Sequence, residues 1–385
     1  MRKLSILNSM PPNMDRNSTV TQTNNLENLN KINAYVSGNK PELIFRGYNS
    51  NKEEIRLLAD GCCAYCGIRV DEHYTTVVEH YKPKAELHFR VNEIRLDGLL
   101  LPEASRSGKH DKTIDKCLFG YFEDGNYVEN LLPSCGACNS GLGNNGIYVE
   151  NKKGKGNIEY NIPYGKKNFF PILYSNRNNS GKLYDHRVNK LYIPDTATDK
   201  PLLFNPYFDD PNELFSFEFD KYIVAADGVG HIIKIKPNKN VSKFNRLKAQ
   251  VSINLLGLNR ANLCIERYNK YKALEDIRLE IDEAAYKRDF NLNLWAKFSL
   301  NFTKEFHKNH AQMFGYGKKL GKEMGFYLRK VLIEKFPNES RGILNYVITF
   351  DDLINKLSIF AKTYYDPRQI NQQVNNVQRD ILNHT

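Results

Sequence analysis

Two short cysteine pairs constrain this chain more than any other feature. Cys63-Ala64-Tyr65-Cys66 and Cys135-Gly136-Ala137-Cys138 stand 68 residues apart in a chain of 385. Each pair can turn two thiolates toward one ion, and two such turns complete a closed tetrahedral zinc site. Glycines at 67 and 136 suit the tight turns required. Any fold must therefore bring the two turns together and gather the stretch between them into a small unit organised by metal. Four sulfurs leave no coordination position for a substrate, so the zinc expected at Cys63, Cys66, Cys135 and Cys138 is structural. Cys62 could also pair with Cys66; the two-residue spacer is the preferred register. Cys117 and Cys264 read as buried or free thiols.

Reading the pairs as metal ligands depends on the compartment, because disulfides persist where proteins are exported. The first twenty residues carry early positive charge and then turn polar, with no hydrophobic signal core. No apolar run approaches the roughly 20 residues that span a bilayer. A soluble, cytoplasmic protein with no membrane partner is expected. Lys and Arg number 55 against 44 Asp and Glu, a formal +11. That balance favours a polyanionic partner, DNA or RNA; AT-biased coding, which enriches Asn, Lys, Ile and Tyr together, is the alternative source of the lysine excess.

Between the knuckles, a β-branched strand in Val77-Val78-Glu79-His80-Tyr81-Lys82-Pro83-Lys84 delivers an acid and a histidine side by side before proline ends it. Glu129-Asn130-Leu131-Leu132-Pro133-Ser134 precedes the second knuckle, and Asn139 follows it directly. A strand, a knuckle and a turn into a helix at about Asn139 make a ββα-metal unit. Glu79 and the side-chain oxygen of Asn139 then offer hard ligands to one Mg²⁺ or Mn²⁺ ion. His80 is the candidate general base, since imidazole titrates near neutral pH, and Asn130 is expected either to fix the adjoining loop or to hydrogen-bond near that histidine and hold its ring. Lys82 and Lys84 are candidate phosphate contacts, or simply solvated lysines. His73, His88, His110 and Trp295 have weaker claims, and Asp209-Asp210 reads as a turn before Pro211.

The chain divides by pattern into four parts. Residues 1–50 form a polar leader, 51–200 the zinc-stabilised unit with loop insertions, 201–260 a β-rich connecting segment, and 261–385 a helical C-terminal domain. The fold class expected is α+β. Asn151–Lys200 holds ten Lys or Arg against four Asp or Glu and reads as a solvated loop region or a phosphate-tracking surface. Alternating Phe215, Phe217 and Phe219 and a turn at Asp227-Gly228 indicate a pair of strands. Stripes at Tyr271, Leu274, Ile277 and Ile281, and at Leu320, Met324, Leu328, Val331 and Leu332, indicate core faces of helices.

The order CAYC, VEHYKPKAE, ENLLPSCGACN resembles the HNH endonucleases of the ββα-metal superfamily. On that resemblance His80, Asn130 and Asn139 match the three motif positions, with Glu79 as the metal-binding acid. The pattern departs at two points. Position 79 is Glu where many HNH enzymes carry Asp, and the segments between Glu86 and Tyr127 and between Gly141 and Lys166 are long, as insertions on loops would be. KKNFFPI, LLFNPYFDDP and LGLNR extend the resemblance to the HNH component of Septu-type and retron-associated antiphage systems. That subfamily implies an ABC/SMC-like ATPase partner and an attack on phage nucleic acid.

A different class is also open: a zinc-stabilised nucleic-acid-binding or adaptor protein without catalysis. It shares the cysteines and the charge but has no need of Glu79, His80 and Asn139 together. A secreted nuclease toxin would place the motif behind delivery modules, at the other end of the chain.

Overall fold

A computed structural model describes residues 4, 11–35, 39–59, 61–70, 76–89, 115–117, 119–141, 146–150, 156–160, 162, 164–173, 200–224 and 228–287, with a few isolated later positions. It is a mixed α+β structure of small sheets and helices. Two compact units are distinguished, 1–230 with 234–264, and 231–233 with 265–385.

The first unit is built on a two-stranded antiparallel ladder. Strand β1 (Thr76–His80) pairs with β4 (Leu131–Cys135), setting Glu79 opposite Leu132 and His80 opposite Leu131. All five β4 residues are buried. Pro133 costs the ladder no donor, because its backbone polar groups face away from β1, where its carbonyl accepts from the Ala64 amide of the first knuckle. Helix α3 (Gly136–Ser140) follows β4 without a break and stops at Gly141, φ +72°. A Cβ there would sit 2.1 Å from the Tyr164 carbonyl oxygen, so only glycine fits.

The remaining described strands form three further sheets. β2 (Leu87–Phe89) pairs with β3 (Asp115–Cys117), and β7 (Ile172–Leu173) pairs with β8 (Lys200–Pro201). The largest sheet orders its strands β10 (Gly228–Pro237), β9 (Phe215–Val224), β6 (Gly156–Glu159) and β5 (Ile147–Glu150). The alternating phenylalanines lie in β9 as their spacing implies; Phe215 is buried and Phe219 exposed.

Helix α1 (Thr19–Asn33) lies inside the polar stretch that reads as a leader. Ser18 caps it by accepting from the Thr21 amide. Apart from Ile32 its buried face is polar: the Asn28 amide accepts from Ile44 N and donates to Ile44 O, and Asn24 donates to Arg46 O. Helix α2 (Lys52–Leu57) leads into the first knuckle and buries Ile55 against Met14, Val128 and Leu131.

The main core joins the cysteines to distant parts of the chain. Leu203, Phe204, Leu256, Leu258 and Leu263 share one apolar cluster with Cys63, Cys66, Cys135 and Cys138. Tyr81 and Phe170 pack edge to face within it, and each such buried aromatic contributes roughly 2–3 kcal/mol of apolar burial. Helix α4 (Pro211–Leu214) precedes β9, and α5 (Lys243–Leu255) supplies Ser252, whose hydroxyl accepts from Phe204 N.

Helix α6 (Ala261–Tyr286) runs on into the second unit, where Leu274, Ile277 and Ile281 are buried along one stripe. The stripe from Leu320 to Leu332, and Trp295, His73 and His110, lie outside the described residues, as do the side chains of His88 and Cys117. No described helix is long and apolar enough to cross a membrane.

Candidate functional site

The four knuckle cysteines converge. The sulfurs of Cys63, Cys66, Cys135 and Cys138 all lie within 4.8 Å of one another and all four residues are buried. Cys62 stays outside the cluster, in an isolated bridge with Arg69, so the two-residue spacer is the register adopted. The Cys66 and Cys135 sulfurs are 3.8 Å apart. Tetrahedral zinc with bonds of about 2.3 Å needs sulfurs about 3.8 Å apart, so the donor set fits that ion. Burial pushes the Cys66 thiol up, but hydrogen bonding with the other three cysteines and the charge of Arg260 outweigh it, and the net shift is well below an ordinary thiol.

Local backbone contacts shape each turn. Gly67, at φ +77°, donates its N–H to Cys63 O, while Cys63 N donates to Ile68 O. In the second knuckle the Cys138 amide donates to Cys135 Sγ at 3.5 Å, capping α3 with a sulfur.

Glu79 and His80 form the last two positions of β1, at the end of the ladder away from the Thr76–Cys135 pairing, and both are buried. His80 Nε2 lies 2.9 Å from the Gly125 carbonyl oxygen. A carbonyl only accepts, so Nε2 carries the proton and Nδ1 holds the free lone pair of the neutral ring. Burial, then the charges of Lys84 and Lys166, hold the His80 pKa well below its ordinary value despite the opposing bond to Gly125. Tyr48 packs on the imidazole edge to face at 5.0 Å. Gly125 admits no side chain, since a Cβ would lie 2.3 Å from the Phe45 ring.

Asn130 ties this arrangement together. Its Nδ2 donates to Lys82 O (3.0 Å) and Asp124 O (3.1 Å), and its Oδ1 accepts from Lys82 N (2.6 Å). One buried amide thus holds both the chain leaving His80 and the turn whose Gly125 carbonyl orients the imidazole.

Glu79 Oε1 accepts from Lys166 Nζ at 2.5 Å, with side-chain exposures of 9% and 1%. Burial raises the Glu79 pKa, and the charges of Lys166 and Lys84 offset part of that rise. Lys166 N also donates to Cys138 O, and Lys167 N donates to Asn139 O. The Lys166 segment therefore joins Glu79 to the helical turn that carries Asn139, which is itself half-buried.

The two lysines of the strand end are both engaged. Lys82 Nζ pairs with Asp124 at 2.8 Å, and Arg16 pairs with the other oxygen of the same carboxylate. Lys84 Nζ donates to the Tyr48 hydroxyl and lies over the Phe45 and Tyr48 rings at 4.5 and 4.2 Å. Burial lowers its pKa to about 8. Lys84, Tyr48 and Phe45, with Lys40 and Glu42, line an open cleft of about 520 Å³. Asp210 caps α4 through Asn212 N, and Asp209 pairs with Lys248, so that acidic doublet is taken up structurally.

No local pattern marks Lys166, Gly125, Tyr48 or Arg260 as part of a site; Lys166 lies in KKNFFPI and Arg260 in LGLNR, segments that carry a resemblance but no chemistry of their own. No protein family, curated protein or solved structure matches this chain.

Proposed function

We propose that the chain is a divalent-metal-dependent endonuclease of the HNH kind, in which β1, β4 and α3 form the ββα-metal unit and zinc at Cys63, Cys66, Cys135 and Cys138 is structural. The observation that carries the reading is His80, buried beside Glu79 with its Nε2 proton on the Gly125 carbonyl and its Nδ1 free as a base. In this scheme Nδ1 takes a proton from water attacking a phosphodiester phosphorus, the P–O bond to the leaving sugar oxygen breaks and that oxygen is protonated from solvent, while the Gly125 carbonyl stabilises the imidazolium. Asn130 keeps strand end and turn in register during that transfer. Glu79 and Asn139 would hold the ion, Mg²⁺ or Mn²⁺, which when bound supplies electrostatic stabilisation of the phosphate. Lys166 balances the Glu79 charge in the absence of other cations.

The resemblance to Septu-type and retron-associated components supports a cytoplasmic antiphage effector acting on DNA or RNA with an ABC/SMC-like ATPase. A second reading, a non-catalytic zinc-stabilised nucleic-acid-binding or adaptor protein, is favoured by one observation: Glu79 is already neutralised by an ammonium group. The test is incubation of purified protein, alone and co-expressed with an ATPase encoded beside it, with plasmid DNA and total tRNA in Mg²⁺, Mn²⁺ or EDTA. Metal-dependent cutting of either substrate is expected. Binding without cutting under every condition would favour the adaptor, and failure of the two proteins to co-elute would remove the ATPase.

A further inference from the structure

We propose that Arg260 is the resident counter-charge and clamp of the four-cysteine site, so that metal loading also fastens the 256–260 turn between α5 and α6. The inference rests on the zinc assignment and is independent of nuclease activity. Arg260 is 1% exposed. Its Nη2 donates to Cys66 Sγ at 3.2 Å and Cys135 Sγ at 3.8 Å, and its Nη1 donates to Cys138 Sγ at 3.5 Å. One planar fork thus reaches sulfurs from both knuckles. The remaining bonds of Nη1 go to the carbonyls of Leu256 and Gly257.

Charge explains why such a group is buried there. A buried guanidinium needs an anionic partner, and Arg260 pairs with no carboxylate among the described residues. Four thiolates around a divalent ion carry a net −2, and Arg260 reduces this to −1 without occupying a ligand position. Four neutral thiols would leave the guanidinium charge uncompensated. A role confined to capping α5 would be met by the two carbonyl contacts and would not aim both terminal nitrogens at sulfur.

The turn is built to aim this side chain. Asn259 exchanges two hydrogen bonds with the backbone of Ile235, each 2.8 Å, and its carbonyl accepts from Tyr148 N. Ala261 N donates to Gly146 O. Gly257 adopts φ +58°, with the space for a Cβ filled by the Tyr164 ring at 2.7 Å. The Leu256 carbonyl accepts from Cys138 Sγ at 3.7 Å when that group carries a proton, and from Arg260. Leu256 and Arg260, 118 and 122 positions beyond Cys138, are therefore assembled around the second knuckle's sulfurs.

The test uses the full chain as wild type, Arg260→Lys and Arg260→Met. Zinc content is measured by elemental analysis, and zinc release by transfer to a colorimetric chelator. Wild type is expected to hold one zinc per chain. Release should quicken about 10- to 100-fold in Arg260→Met, as for loss of other groups that support a ligand, and less in Arg260→Lys, which keeps charge without the fork. Wild-type release rates in Arg260→Met would overturn the proposal, as would equal losses in the two variants. If Arg260→Met fails to fold, hydrogen exchange of wild type decides. Removing zinc should strip protection from the amides of Tyr148, Arg260 and Ala261; unchanged protection there would overturn the clamp. Wild type without zinc would instead sink the zinc assignment, and the proposal with it.

Discussion

Replacing Lys166 with methionine leaves Glu79 as a buried carboxylate without its partner. The ammonium lies 2.5 Å from Glu79 Oε1, and the two side chains are 1% and 9% exposed. Breaking a buried pair from one side costs about 3–5 kcal/mol, because the surviving charge keeps its desolvation penalty. Replacing both partners removes that penalty, so Lys166→Met with Glu79→Gln should recover most of the loss. Lys272 and Asp276 form a pair of the same 2.5 Å length between half-exposed side chains, and Lys272→Met should leave stability unchanged within error. Burial rather than distance sets the size of the effect. The pH dependence follows from the Glu79 shift. Its folded pKa is raised, so its contribution is present below the unfolded carboxylate value and is lost as pH rises through the folded one. Losing Lys166 raises it further, so the gap between wild type and Lys166→Met should widen upward from about pH 4. Urea denaturation of the four proteins between pH 4 and 8 measures all of this. A cost below about 1 kcal/mol at pH 7, or a gap independent of pH, would refute the reasoning.

Asn130→Ala removes three hydrogen bonds and strands buried backbone groups, so it should cost about 3 kcal/mol by chemical denaturation. In a cleavage assay, the depressed His80 pKa predicts a rate with no inflection near 6.5, falling only at more acid pH where Nδ1 becomes protonated. Stripping zinc with a strong chelator should lower the thermal midpoint and loosen the β1–β4 ladder, since the knuckles join its strands to the core; an unchanged melting curve would count against a structural metal.

What could be read in the sequence was what local chemistry dictates. The CxxC spacing named the four sulfurs, and the β-branched run before Pro83 placed Glu79 and His80 on a strand end. Asn130 was singled out by its place before the second knuckle, and it does hold the loop after His80. The partners of these groups were not legible, because they come from far along the chain. Lys166 reaches Glu79 across 87 positions, and Arg260 reaches Cys66 across 194. The Gly125 carbonyl that orients His80 is a backbone atom and leaves no side-chain signature. Helix α1 was hidden for a different reason. Its inward residues include Asn24 and Asn28, which hydrogen-bond the backbone of Arg46 and Ile44 instead of filling an apolar core, so the segment looks like a solvated leader.

The central claim is that His80 performs proton transfer in phosphodiester hydrolysis. It is tested most directly by comparing cleavage rates of wild type and His80→Ala in saturating Mg²⁺ or Mn²⁺, with zinc content and circular dichroism measured on the same samples. The account predicts a rate lower by about 10²- to 10⁴-fold with zinc and fold retained. Equal cleavage by the two proteins would contradict it.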